Sequence, residues 1–248
     1  MVYWGLKAIL WPVSRLLFRW RIEGREHVPS SGPAVIAANH QSFCDSLFLP
    51  LAIRRRVTFL AKAEYFEAKR TAWFFRAVGQ IPIQRQGGDA SQRALATARV
   101  VLEDGHLIAL YPEGTRSIDG KVHRGRTGVA RLALECGVPV IPVGISGTDR
   151  IQPRGSRWFR PFHSVRVSFG PPMAFESPAL VDTETGRTSN ELLRSFTDQL
   201  MTEIARLAGR PYDDEPVVRE AAELDVLPDE AASGSAEVDL GPAEASAS

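Results

Sequence analysis

From about Val28 to Phe169, short apolar runs alternate with stretches of helical period. The runs predict strands at Ala34–Ala38, Val57–Ala61, Gln80–Gln84, Leu107–Tyr111, Val140–Ile145 and Val165–Phe169. The helical stretches are Phe43–Ile53, Tyr65–Val78, Ala90–Glu103 and Thr127–Cys136, and Asn190–Leu207 follows as a closing helix. Strands that alternate with helices bury both faces of one sheet. The pattern therefore specifies an α/β sandwich, a largely parallel or mixed sheet flanked by helices, over residues 28–208. Gly105, Gly137 and Gly170 stand where elements must end.

Residues 1–27 obey a different rule. Val2, Leu6, Ile9, Val13, Leu16 and Trp20 recur at steps of four and three, which is one stripe of a helix. Lys7, Arg15 and Arg19 fall opposite, with Trp4, Trp11 and Phe18 among them. Aromatics beside cations around an apolar stripe suit a helix lying in a membrane interface. A helix packed on the protein's own core has the same period. Pro12 is expected to divide the segment in two. The longest uncharged run in the first 21 residues is Ala8–Ser14. That is far short of the roughly 18 apolar residues of a transmembrane helix. Lys7 within the apolar stretch fits a secretory signal poorly. A second basic-aromatic stretch, Arg154–Phe162, has either an interfacial role or its rings turned inward.

Charge is distributed unevenly. The formal net charge is +1, but residues 209–248 hold eleven acidic and two basic residues. The body is therefore strongly basic, at +10, and suits anionic partners such as phosphates or acidic lipid headgroups. No recognisable nucleic-acid module accompanies that charge. The acidic segment has no aromatic after Tyr212 and is expected to be a disordered tail. Cys44 and Cys136 show neither metal nor C-x-x-C spacing and read as reduced thiols of a cytosolic chain, Cys44 facing the core.

Several segments carry candidate chemistry. In Asn39-His40-Gln41-Ser42-Phe43-Cys44-Asp45, five steps of about 100° would leave His40 and Asp45 roughly 140° apart on one helix. They meet only if His40 sits in the turn after a strand and Asp45 in the first helical turn. Asp45 then holds one ring nitrogen while the other is free to take a proton. Ser42-x-x-Asp45 is equally a capping box. In Tyr111-Pro112-Glu113-Gly114-Thr115-Arg116-Ser117, a strand ends in a turn that presents Arg116. Such a turn either grips phosphate or pairs Glu113 with Arg116. Gly79-Gln80-Ile81-Pro82-Ile83-Gln84-Arg85 puts a cation at a strand's C-terminal end, where ligands gather in open α/β sheets. Lys62 has a similar place. Val138–Val143 reads as a buried strand bounded by prolines. No nucleotide-binding glycine loop, no G-x-S-x-G and no metal-ligand spacing occurs. His27, His106, His123 and His163 read as surface or loop residues.

These four segments, in this order, resemble the phospholipid acyltransferase family, with its N-H-x4-D, G-x-I-x-[IV]-x-R, F-P-E-G-T-R-S and V-P-[IV]-[IV]-P-V motifs. Tyr111 stands where Phe is usual, and Pro82 where a bulky aromatic is common. The resemblance implies a glycerolipid-acyltransferase-like fold. It implies His40 as general base and Asp45 as its partner. Glu113, Gly114, Thr115, Arg116 and Arg85, with Lys62 as an addition, would bind the acceptor's phosphate. The acceptor would be a lysophospholipid, first of all 1-acyl-glycerol-3-phosphate, and the donor acyl-CoA or acyl-carrier protein. Transfer would be direct, with no metal and no cofactor, at the cytoplasmic face of the cell membrane and with residues 1–20 on the membrane surface. The competing readings are another lysophospholipid or glycolipid acceptor, or a non-catalytic peripheral lipid-binding protein.

Overall fold

The structure, a computed structural model, describes residues 2–67, 72–73, 75–76, 79–83, 90–156, 158–175 and 189–217. Its strands are β1 Arg19–Glu23, β2 Ala34–Ala38, β3 Val57–Lys62, β4 Ile81–Ile83, β5 Leu107–Leu110, β6 Val122–His123, β7 Val140–Ser146, β8 Ser164–Phe169 and β9 Tyr212–Asp213. Its helices are α1 Val2–Leu17, α2 Asp45–Ala52, α3 Glu64–Glu67, α4 Ala90–Glu103, α5 Gly128–Cys136, α6 Thr148–Ile151 and α7 Ser189–Ala208. A seven-stranded sheet runs in the order β1-β8-β7-β2-β5-β3-β4. Every pair in it is parallel except β7 with β8. The predicted mixed α/β architecture is the one observed. Of the expected helix Tyr65–Val78, residues 68–71, 74, 77 and 78 lie outside the described residues.

Alternation along β2 explains why the sheet needs helices on both sides. All five of its residues are buried. Val35 and Ala37 join a cluster with Leu132, Ala133 and Leu200 from α5 and α7. Ala34, Ile36 and Ala38 join another with Phe48, Leu49 and Ala52 from α2. Successive side chains of a strand point to opposite faces, so a central strand must be apolar throughout. At Gly144 on β7 a Cβ would collide with the backbone of Leu207 and Ala208. Glycine there lets α7 ride directly on the strand.

Two expectations at the N-terminus are corrected, and one alternative is set aside. The helix is continuous through Pro12, because Ala8 and Pro12 both lie exposed and the carbonyl that loses its donor faces outward. Trp20 does not continue the helical stripe. It belongs to β1, where Arg19, Arg21 and Glu23 point out while Trp20 and Ile22 pack inward, a period of two. Residues 1–27 are therefore a helix plus an edge strand of the main sheet, in register with β8 through Arg19 opposite Ser164. The orientation of α1 also differs from a helix that buries its apolar stripe in its own core. Val2, Ile9, Val13 and Leu16 are exposed, Leu16 at 80%. The inward side carries Tyr3, Ser14, Trp11 and Lys7. The Lys7 ammonium donates to the carbonyls of Pro50, at 2.8 Å, and Ile53, capping the C-terminus of α2.

The acidic segment does not begin its own regime at residue 209. β9 pairs in parallel with β6, Lys121 reaches Asp213 at 2.8 Å, and Arg124 N donates to Glu215 O. Residues 209–217 belong to the body through backbone pairing and an ion pair, neither of which requires an apolar run. Residues 218–248 lie outside the described residues.

Candidate active site

The C-terminal ends of β2, β5 and β7 bring the site together. β2 ends at Ala38, and the Asn39 side chain then acts as one more rung to β7. Its Nδ2 donates to Ile145 O at 2.9 Å and its Oδ1 accepts from Ile145 N at 2.7 Å. This fixes the chain just before His40. The turn Gln41–Cys44 leads into α2, with Asp45 in its first turn.

Asp45 is wholly buried, and four donors satisfy it. Oδ2 accepts from His40 Nδ1 at 3.0 Å, Gln41 N at 2.7 Å and Ser42 N at 2.8 Å. Oδ1 accepts from the Thr148 hydroxyl of α6. A buried carboxylate in such a setting can only accept, so Nδ1 carries the hydrogen and Nε2 is left with a free lone pair. Both readings of the sequence are realised at once, since Asp45 closes the turn at Ser42 and orients the imidazole. The ring of His40 stacks on Tyr111, with centroids 3.9 Å apart and planes 7° from parallel. Tyr111 shares a hydrogen bond of 3.0 Å with the Ser46 hydroxyl. Burial first, then the charge of Asp45, keeps the Tyr111 phenol protonated well above its ordinary range. The His40 side chain retains 17% exposure where Asp45 retains none.

The Pro112–Ser117 turn is fastened to His40 at both ends. His40 N donates to Glu113 Oε1 at 3.0 Å, and Ser117 N donates to His40 O at 2.8 Å. Thr115 and Arg116, half-buried, lie between these two anchors. Gly114 takes the left-handed conformation, φ 74°, that the turn requires. Glu113 is not a phosphate ligand. Its carboxylate is 4% exposed and turned inward onto the N–H groups of His40 and His123, the latter at 3.2 Å. Burial pushes it up to about 7, against the pull of those two donors. This brace commits both Glu113 oxygens to backbone N–H groups.

Lys62 ends β3, at the same end of the sheet as His40, and Arg85 lies two residues past β4, outside the described residues. His123 is a correction. It is buried, with Nε2 2.8 Å from Asp119 Oδ1 and Nδ1 3.2 Å from Glu215 O. Against the desolvation that favours its neutral form, hydrogen bonds from His123 and the Lys121 N–H hold Asp119 at about 2. This network straps the loop beyond Arg116 to residues 211–215. Burial pushes the Cys44 thiol up to about 12, so it is inert beside the histidine. Among the described residues no group of three His, Cys, Asp or Glu side chains is placed to hold a metal ion.

The site thus joins a buried Asp that fixes a partly exposed His to a turn that bears an arginine and is pinned beside it. Residues 19–146 match the family model described as Acyltransferase, and the chain belongs to that family. It is 32% identical over 157 residues to the chloroplastic 1-acyl-sn-glycerol-3-phosphate acyltransferase LPAT1 of Arabidopsis thaliana, covering 63% of this chain and 44% of that protein. To the human 1-acyl-sn-glycerol-3-phosphate acyltransferase alpha it is 29% identical over 187 residues, covering 73% and 64%. The chain thus spans less than two thirds of these relatives' lengths. The crystal structure of the 1-acyl-sn-glycerophosphate acyltransferase PlsC from Thermotoga maritima superposes with a TM-score of 0.61 at 25% identity, over 84% of this chain and 79% of that one.

Proposed function

We propose that the protein is a 1-acyl-sn-glycerol-3-phosphate O-acyltransferase that uses acyl-CoA or acyl-carrier protein as donor. The observation that supports this is the tautomer lock: Asp45 on Nδ1 leaves Nε2 as the ring nitrogen that can take a proton, on a His40 side chain that keeps 17% exposure. His40 takes the proton of the acceptor hydroxyl as its oxygen attacks the thioester carbonyl. The tetrahedral adduct collapses, the C–S bond breaks, and the imidazolium returns the proton to the departing thiolate. The thiolate is a good leaving group, so neither a protein nucleophile nor a cofactor is needed for the balance. Arg116, with the polar turn of Gly114 and Thr115, holds the acceptor's phosphate so that its hydroxyl lies beside His40.

The outward stripe of α1 favours a membrane seat for the same reaction. Phe162 N donates to Leu17 O at 2.7 Å, which joins the exposed Trp158, Phe159 and Phe162 to the end of that helix. Together they form one apolar rim flanked by arginines. Among the described residues no helix is long and apolar enough to cross a membrane.

The test is transfer of a labelled acyl group from acyl-CoA to a panel of lysophosphatidate, glycerol-3-phosphate and lysophosphatidylcholine. Lysophosphatidate is expected to be the preferred acceptor. His40→Ala is expected to lose a factor of roughly 10²–10⁴ in kcat while still binding the acceptor. Wild-type turnover no better than that of His40→Ala would overturn the catalytic reading, and a preference for lysophosphatidylcholine would overturn the acceptor.

A further inference from the structure

The end of the sheet opposite His40 holds a second, unassigned site. There β1 finishes at Glu23 and the chain turns through Gly24 into the single helical turn Arg25–His27. A cavity of about 680 Å³ opens beside this turn, with Trp11, Arg15, Trp20, Arg21, Arg25 and Arg54 in its walls. It shares Trp11, Arg25 and Arg54 with an adjoining hollow of about 370 Å³, which runs between α1 and α2 over Ala8, Leu51 and Ala52. A charged mouth thus continues into an apolar groove. β1 begins at the catalytic end and is five residues long, so at about 3.3 Å per residue its far end lies roughly 16 Å away. An acceptor held at His40 does not occupy this place.

The cavity is short of negative charge. Among its lining residues Glu26 is the one carboxylate facing four arginines. Burial, and then the nearness of Arg54 and Arg15, make Arg25 a weaker base than an ordinary arginine. Lys7 is lowered to about 8 by burial and by Arg25. Two buried donors in these walls, Trp20 Nε1 and Arg25 Nε, have no acceptor. A buried indole N–H normally finds one. Arg15 and Arg25 also lie over the Trp11 ring, at 5.7 Å each.

We propose that this hollow binds the phosphate of an anionic phospholipid, with the lipid's acyl chains following the α1–α2 groove, as a site separate from the acceptor site. The inference rests on the proposed membrane seat of α1, which sets lipid against the helix whose Trp11 and Arg15 wall the cavity. An anion there relieves the repulsion among the arginines and lies against the walls that hold the two orphan donors.

The experiment uses the full chain and two probes. In cosedimentation, wild type is compared on vesicles of phosphatidylcholine alone and of phosphatidylcholine mixed with phosphatidylglycerol. Arg25→Gln and Arg54→Gln should each weaken binding to the mixed vesicles about fivefold, as expected for one basic residue near an anionic surface. Trp20→Phe, which changes no charge, should weaken it two- to fivefold, with binding to neutral vesicles unchanged. A thermal-shift series then compares dioctanoyl phosphatidylglycerol, kept monomeric, with inorganic phosphate. The short-chain lipid should raise the Tm of wild type and not that of Trp20→Phe. An equal shift with phosphate alone would make the ligand a free anion and overturn the lipid assignment. Unchanged mixed-vesicle binding by Trp20→Phe and by Arg25→Gln would overturn the site while leaving the membrane seat standing. Failure of wild type to sediment with any vesicle would instead remove the seat on which the proposal rests.

Discussion

The cluster around Asp45 and the far end of β1 treat buried polar groups in opposite ways. At the His40 end Asp45 is completely enclosed, and both of its oxygens are committed to four donors. At the far end of β1, Trp20 Nε1 and Arg25 Nε are enclosed with no acceptor, and arginines crowd one another. An unmade hydrogen bond at a buried group costs about 1–3 kcal/mol, so the far end of β1 carries a cost that the cluster around Asp45 avoids. The His40 end is preorganised, so its geometry exists with no ligand bound. The far end has its cations assembled ahead of their counter-charge. Removing a partner should therefore damage the first end and spare the second.

The largest effect is expected from Asp45→Asn. The amide keeps the shape but presents N–H groups towards donors, and it no longer fixes which nitrogen of His40 carries the hydrogen. The equivalent change in serine-hydrolase triads costs about 10⁴ in kcat, and a loss of roughly 10³–10⁴ in acyl transfer is expected here. Stability should fall as well, since Gln41 N and Ser42 N lose a full charge as acceptor. Urea midpoints and kcat from labelled transfer check both halves. Near-normal turnover with normal stability would show that the enclosure of Asp45 is packing alone, and the contrast between the ends would dissolve.

The next effect follows from Glu113. Its folded pKa of about 7 lies above the usual 4.5. Below pH 4.5 both folded and unfolded chains hold this proton. Between 4.5 and 7 the unfolded chain releases it while the fold retains it, so stability falls as pH rises through that window and then levels off. A displacement of that size corresponds to a few kcal/mol, at about 1.4 kcal/mol for each tenfold change in proton affinity. Chemical denaturation of wild type and Glu113→Gln at pH 5 and pH 8 isolates the contribution. The wild type should lose up to that much more than the variant on going to pH 8. Equal losses would mean that the brace under His40 does not titrate as its burial requires.

Much of the site was legible because its key pair is local. His40 and Asp45 can meet only across a strand–turn–helix junction, and the apolar runs on either side predict that junction. Thr148 and Asn39 were not legible in their roles. Their contacts with Asp45 and Ile145 span 103 and 106 positions, and no spacing rule reaches that far. β1 was hidden because Trp20 satisfied the helical period as well as the strand's alternation. In α1 the period is right, but periodicity does not decide which side faces in when the helix is apolar nearly all round. The free carbonyls at the end of α2 decide it by capturing Lys7. β6 and β9 are two residues each and carry no apolar run, so composition assigned Tyr212 and Asp213 to a tail. The pairing of Lys121 with Asp213 is what brings them back.

The smallest expected effect belongs to the far end and has the opposite sign. Arg54 adds to the crowding around Arg25. Its charge adds repulsion that a bound anion would offset. Arg54→Gln should therefore leave stability unchanged or raise it by a few tenths of a kcal/mol in lipid-free buffer, within the range of an exposed substitution. The gain should shrink as salt is added, because screening already weakens the repulsion that the variant removes. Denaturant midpoints at low and high ionic strength measure this. A loss of 1 kcal/mol or more at either ionic strength would show that Arg54 holds the fold directly. The far end would then be an ordinary structural network like the one around Asp45.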